Sequence, residues 1–244
     1  MAKNASDMIL ADDNFVTIIE AVKTGRHIYE NIKKAIHFLL ATNIGEIVTI
    51  FMGLLLGIET PLLAIQLLWI NLVTDSFPAI ALGLEPIDKE IMKKKPINSK
   101  KSIFSDGLWE KIFVEGIMIG MLTLFAFSLG NNLFGLEVGR TMAFVTLSML
   151  ELIHSFNVRS EESIFKIGIF KNIYLVGAFI LGTILQISVV AIPQIAKIFD
   201  VIPLNKTQWI YTILISISPI FIMEIQKKIN EIKFGKIVYK VVTK

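Results

Sequence analysis

Two acidic residues lie midway along apolar runs that are long enough to cross a lipid bilayer. Glu46 lies in the run 35–57, and Asp75 lies in the run 62–83. An ionisable side chain at the centre of a bilayer costs roughly 2.5–3.5 kcal/mol or more, so such a residue usually lines a path for an ion or a substrate. The two acids therefore indicate a polar path inside a bundle of membrane helices.

Each acid shares its helix face with other side chains that carry oxygen. Asn43 precedes Glu46 by three residues, and Asn71 is followed by Thr74 and Asp75 at positions i+3 and i+4. Residues at these separations lie on one face of a helix. Carboxylate, amide and hydroxyl oxygens are the ligands that a hard cation prefers. The sequence therefore predicts two oxygen-rich faces within the membrane.

The composition is that of a membrane protein, with 54% hydrophobic residues and a mean hydropathy of +0.66. A spanning helix needs about 20 apolar residues. The fold class that we predict is an all-α membrane protein, a six-helix transmembrane bundle. The predicted spans are 35–58, 62–84, 108–130, 139–156, 172–195 and 208–226.

Basic residues are concentrated in alternate connections between these spans. The segment 1–34, the loops 85–107 and 157–171, and the tail are basic, whereas the turns 59–61 and 131–138 contain neither lysine nor arginine. Cytoplasmic loops carry an excess of these residues. We therefore expect both termini to be cytoplasmic. The highly charged 85–107 loop is interpreted as a solvated connection.

The chain divides into a short polar segment, a membrane domain and a basic tail, at residues 1–34, 35–226 and 227–244. Residues 6–10 are a possible short strand, and Asn14 is a candidate helix N-cap. No proline occurs between Asn14 and Gly57. One stalk helix of about 40 residues, continuous with the first span and roughly 60 Å long, is favoured over two helices hinged at Gly25.

Pro78 follows Asp75 by three residues within the second predicted span. Proline removes a backbone hydrogen bond and clashes with the carbonyl group four residues earlier, here that of Thr74. Irregular backbone at membrane depth is tolerated where it lines a cavity or is buried in protein. We favour a break that frees carbonyl groups as ligands over a kink without function.

Other residues of the membrane domain carry weaker signals. Glu151 lies in the fourth span, and its spacing alone leaves a packing role and a site role equally open. Gly116 and Gly120 form a small-residue packing face. The three histidines, at positions 27, 37 and 154, have no ligand-pair spacing, and we interpret them as packed or interfacial residues. The absence of cysteine excludes disulfides and thiolate metal sites.

The runs Asn43-Ile-Gly-Glu46 and Asn71-Leu-Val-Thr-Asp75, at this separation, resemble the fifth and sixth membrane helices of P-type ATPases. More narrowly, they resemble calcium pumps of the sarco/endoplasmic-reticulum type and their bacterial relatives. The resemblance covers the whole chain. Residues 2–15 resemble the last strand and turn of the phosphorylation domain, 24–34 the stalk, and 66–75 and 81–86 helix six and its exit.

The resemblance implies a set of calcium ligands on the fifth, sixth and eighth helices of such a pump. The acids at the matching positions imply two ion sites, with Asp75 in contact with both ions. The bacterial plasma membrane is the expected location. The implied metal ligands are Asn43, Glu46, Asn71, Thr74, Asp75 and Glu151.

The D-K-T-G-T motif that this family phosphorylates does not occur in the sequence. We therefore expect the chain alone to have no ATPase activity, and ATP and Mg²⁺ to act only through upstream domains. The expected partners are Ca²⁺, counter-transported protons, the lipid bilayer and the N-terminal portion of the pump, with no nucleic acid. The alternatives are a pump fragment for Mn²⁺ or Na⁺, a non-catalytic membrane scaffold, and a self-contained channel or secondary transporter, for which the sequence lacks the expected internal symmetry.

Overall fold

The fold is helical throughout the part of the chain that the computed structural model describes. That part comprises residues 14–88, 90–96, 101–105 and 107–242, with side chains described up to residue 229. Every element longer than a turn within those ranges is a helix, which confirms the all-α prediction. The possible strand at 6–10, and most of the segment that resembles the phosphorylation domain, lie outside the described residues.

The first helix, α1, is a single uninterrupted element from Phe15 to Leu55. The Asn14 side chain caps it by accepting a hydrogen bond from the Val16 N–H at 3.0 Å. Gly25 lies within the helix and does not break it. At 1.5 Å per residue the helix is roughly 60 Å long. The predicted continuous stalk and first span are therefore confirmed.

The second span is broken into three pieces: α2 from Ala64 to Trp69, a π-helical turn from Ile70 to Thr74, and α3 from Ser76 to Gly83. The Asp75 N–H donates to the Ile70 carbonyl at 3.0 Å. This bond joins residues five positions apart, whereas the bonds of an α-helix join residues four positions apart. Such π-turns are frequent at functional sites. The predicted loss of regular helix beside Asp75 is confirmed, but it begins eight residues before Pro78.

The remaining helices form the rest of the bundle around α5. Among the residues that the structure describes, five helical segments, α1, α2–α3, α4, α7 and the first part of α9, are long and apolar enough to cross a membrane. Helix α5 contains several polar residues and is buried over almost its whole length. A sixth span at α5 therefore stays a prediction. The bounds are α4 Leu108–Phe134, α5 Leu136–Val158, α6 Ile164–Ile167, α7 Ile173–Ala191, α8 Pro193–Ile198 and α9 Lys206–Val242.

Helices α1 and α4 approach one another closely through glycine residues. A Cβ atom added to Gly116 would lie 2.8 Å from the Ala41 carbonyl oxygen, and one added to Gly120 would lie 2.8 Å from the Gly45 carbonyl oxygen. Real Cβ atoms do not tolerate such contacts with backbone. The predicted packing face of Gly116 and Gly120 is thus confirmed, and its partner is the half of α1 that carries Glu46.

We expect Gly116→Ala to lower the free energy of unfolding by about 1–3 kcal/mol, because overpacking forces two backbones apart. Gly177→Ala is the matched control, because a Cβ added to Gly177 meets no atom of the described residues within 4 Å. Circular dichroism during heating in one detergent measures both variants. Equal unfolding midpoints for the two variants would show that the α1–α4 contact is not tight.

Candidate functional site

Glu46 on α1 is hydrogen-bonded to Asn71 in the π-helical turn. The Asn71 amide nitrogen lies 2.7 Å and 2.9 Å from the two carboxyl oxygens of Glu46, and 3.0 Å from the Leu67 carbonyl oxygen. Only 8% of Glu46 is exposed. The π-turn therefore presents an amide directly to a buried acid of the neighbouring helix.

Asp75 follows the same π-turn and is almost completely buried. The Thr42 hydroxyl donates to one carboxyl oxygen of Asp75, Oδ2, at 2.8 Å. The other oxygen, Oδ1, accepts no hydrogen bond from the part of the chain that the structure describes. Asp75 therefore has one oxygen anchored to α1 and one oxygen available for a ligand.

Glu151 on α5 completes a group of three buried acids. It is fully buried, and neither of its carboxyl oxygens accepts a hydrogen bond from a donor group among the described residues. The three acids interact electrostatically with one another. In addition, Glu46 is hydrogen-bonded to Asn71, and Asp75 is hydrogen-bonded to Thr42. Grouped carboxylates in a low-dielectric interior repel one another and lack the solvation that water gives. The arrangement is therefore suited to hold a cation or protons.

The side chains of Asn43 and Thr74 bond to their own helices. The Asn43 amide donates to the Leu39 carbonyl oxygen at 2.6 Å, and the Thr74 hydroxyl donates to the Ile70 carbonyl oxygen at 3.0 Å. The structure thus brings together four of the six predicted ligands, Glu46, Asn71, Asp75 and Glu151. Sequence reasoning missed Thr42, although it precedes Glu46 by four residues and therefore shares its helix face.

A second polar cluster contains two of the three histidines. His37 Nε2 on α1 lies 2.5 Å from Glu115 Oε2 on α4, and His154 Nε2 on α5 lies 3.4 Å from the same oxygen. All three side chains are buried. His37 and His154 are packed inside the bundle, which agrees with their interpretation as packed residues. Their shared contact with Glu115 was not predictable from spacing, because it joins residues that lie far apart in the sequence.

A buried ion pair joins the end of the second span to α5 and α7. The Arg159 guanidinium donates to Glu85 through Nε and Nη2 at 2.9–3.1 Å, and the Asn172 amide donates to Glu85 Oε2 at 2.7 Å. Both charged side chains are nearly inaccessible to solvent. Glu85 is the first residue of the loop that we interpreted as solvated, so that interpretation is wrong at this position. The pair fixes the distance between the helices that carry Asp75 and Glu151.

Comparisons with known proteins agree on one family. A sequence profile described as "Cation transporting ATPase, C-terminus" matches residues 59–229. The chain is 47% identical over 245 residues to calcium-transporting ATPase 1 of Bacillus cereus, covering 93% of this chain and 28% of that protein. It is 41% identical over 225 residues to the calcium-transporting ATPase of Bacillus subtilis, covering 91% of this chain and 25% of that protein. The chain spans about a quarter of the length of these relatives.

We expect Glu85→Gln to lower the free energy of unfolding by about 3–5 kcal/mol, because it leaves the buried Arg159 charge without its partner. Glu90→Gln is the matched control, since Glu90 pairs with Lys93 at the surface and surface pairs contribute about 0–1 kcal/mol. Denaturant unfolding of both variants in the same micelles compares them. A loss for Glu85→Gln no larger than the control would contradict the role given to the buried pair.

Proposed function

Because the chain belongs to the cation transporting ATPase C-terminus family, we propose that it is the membrane region of a P-type pump that transports Ca²⁺. The observation that carries the proposal is the group of buried carboxyl groups beside the π-helical turn. Glu46, Asp75 and Glu151 come from three separate helical segments and interact with one another inside the bundle. The names of the bacterial relatives support Ca²⁺ over Mn²⁺ or Na⁺ and argue against a scaffold without transport activity.

The proposed ligands supply oxygen atoms from carboxyl, amide and hydroxyl side chains. Ca²⁺ takes six to eight oxygen ligands at about 2.3–2.6 Å, from carboxylates, amides, carbonyl groups and water. The carboxyl groups provide the charge, and the Asn71 amide is already in contact with Glu46. Asn43 lies within one helical turn of Glu46, and Thr74 directly precedes Asp75. Both side chains would join the ligand set if their hydrogen bonds to backbone carbonyl groups were broken. Asp75, between α1 and α5, is the proposed bridge between two ions.

Proton counter-transport follows from the same group of acids. When the ion leaves, three carboxylates remain together in a buried place, and repulsion favours their neutralisation by protons. ATP and Mg²⁺ would act through the catalytic domains of a longer protein. The continuous α1 helix connects residues near Phe15 to the proposed site, so a movement imposed at its beginning would reach Glu46.

The proposed location is the bacterial plasma membrane, with the basic connections in the cytoplasm. The distribution of lysine and arginine supports this orientation. The bacterial sources of the relatives support the type of membrane.

We expect cysteines introduced at Glu59 and Lys95 to react from opposite sides of the membrane, because the first lies in the turn after α1 and the second in the basic loop after α3. The chain contains no native cysteine that would react in their place. Labelling of sealed vesicles with an impermeant maleimide, before and after permeabilisation, makes the measurement. If both cysteines react from the same side, the proposed topology is wrong.

We expect Asp75→Asn to abolish Ca²⁺ binding at both proposed ion sites, because it removes the charge that both ions share. Glu151→Gln should weaken binding less completely, since a cation with many oxygen ligands can replace one lost carboxylate oxygen by water. Glu59→Gln, at the exposed turn, is the matched control and should bind as the parent does. Equilibrium binding of radioactive calcium to the full-length protein measures all three variants.

The order of the two effects is the critical result. If Asp75→Asn retained full binding while Glu151→Gln lost it entirely, Asp75 would not be the bridging ligand. If neither variant lost Ca²⁺ binding, the acids would not form the transport site.

A further inference from the structure

We propose that His37, Glu115 and His154 form a separate binding site for a divalent transition-metal ion of the Zn²⁺ class. The three residues come from α1, α4 and α5 and meet inside the bundle. The site is distinct in chemistry from the carboxylate group at Glu46, Asp75 and Glu151, because it offers two imidazole nitrogens and one carboxylate. The proposal does not depend on the transport function.

The three potential ligand atoms are already close enough to share one ion. They all lie within 4.8 Å of one another, and the Glu115 carboxyl oxygen is in contact with both imidazole rings. The His37 and His154 rings are 6.2 Å apart between centroids and meet edge to face. An ion with ligand distances near 2.0–2.2 Å would therefore require only small side-chain shifts.

Unpartnered polar atoms point to a ligand at this place. His154 is fully buried, and apart from the 3.4 Å contact of Nε2 with Glu115, neither of its ring nitrogens makes a hydrogen bond to a described residue. The side chain of Asn157, one turn further along α5, is 2% exposed, and within the described ranges its oxygen and its nitrogen have no hydrogen-bond partner. Buried polar groups without partners are rare in native proteins and call for an explanation. A metal ion with a bound water would supply partners to both residues.

A small cavity beside the cluster provides space for that water. It has a volume of about 30 Å³, and His37, Glu115 and Asn157 are among its lining residues. A volume of this order accommodates roughly one water molecule. Two histidines, one glutamate and one water form a four-coordinate ligand set that Zn²⁺ favours.

The two metal sites would select different ions. Imidazole nitrogen suits Zn²⁺ and related transition metals, whereas carboxylate and carbonyl oxygens suit Ca²⁺. His154 lies three residues after Glu151 on α5, a rise of about 4.5 Å. An ion at the histidine cluster would therefore tie α1, α4 and α5 together one helical turn from the buried acids.

The test begins with the full chain in detergent micelles, titrated with Co²⁺ in the presence of excess Ca²⁺. Co²⁺ bound to a nitrogen-containing site of low coordination number absorbs visible light, and Ca²⁺ does not displace it. We expect a visible band that saturates at one Co²⁺ per chain and disappears when Zn²⁺ is added. Absence of saturable binding, or displacement by Ca²⁺, would overturn the proposal.

Three matched substitutions then locate the ion. His37→Gln and His154→Gln should each weaken Zn²⁺ binding at least about tenfold, as loss of a ligand or its support does at other metal sites. His27→Gln is the control, because His27 lies outside the cluster and contacts Asn31. Binding that is unchanged in both cluster variants, or equally weakened in the control, would refute the site.

Circular dichroism and gel filtration identify any variant that fails to fold. In that event, X-ray absorption at the zinc edge of the parent protein decides the question. Two imidazole ligands in the first coordination sphere support the proposal, and an oxygen-only sphere contradicts it. Calcium binding to the Asp75→Asn variant is measured separately. A failure of the proposed histidine site is therefore distinguishable from a failure of the proposed Ca²⁺ site.

Discussion

The need to bury three carboxyl groups in one place determines much of the structure. Glu46, Asp75 and Glu151 interact with one another where water cannot solvate them, and hydrogen bonds from Thr42 and Asn71 satisfy only part of their oxygens. The helix that carries Glu151 is correspondingly the most enclosed of the bundle. The other helices shield its polar residues from lipid, which is why a helix of modest hydropathy can occupy the centre of a membrane domain.

Sequence reasoning located the long elements well, because apolar length and helix caps are local signals. The uninterrupted α1 helix follows from the Asn14 cap and the absence of proline before Gly57. The π-helical turn was only partly predictable. Pro78 marks a loss of regular helix, but the irregular turn itself lies at 70–74, where Asn71 and the following Asp75 hydrogen-bond to residues of α1. Spacing along one helix does not contain that information.

In the candidate site, too, the sequence predicted residues on one helix face but did not predict contacts between helices. Glu46, Asn71 and Asp75 were predicted from their depth and helical spacing, and the structure places them together with Glu151. The contact of Thr42 with Asp75, and that of His37 with Glu115, join residues that are 33 and 78 positions apart. No periodicity in the sequence connects such positions. The predicted participation of Asn43 and Thr74 requires their side chains to leave their hydrogen bonds to backbone carbonyl groups.

The glycine contact between α1 and α4 can serve as a pivot that divides α1 into a long arm and a short arm. Gly45 lies 30 residues from Phe15 and 10 residues from Leu55, which correspond to arms of about 45 Å and 15 Å. A sideways movement at Phe15 about this fulcrum would be reduced roughly threefold at Leu55, and the force would be multiplied by the same ratio. Thr42 and Glu46 flank the fulcrum, so they would be reoriented with little displacement. A large movement at the beginning of α1 would thus become a small rotation, applied with greater force, of the side chains in the proposed ion site.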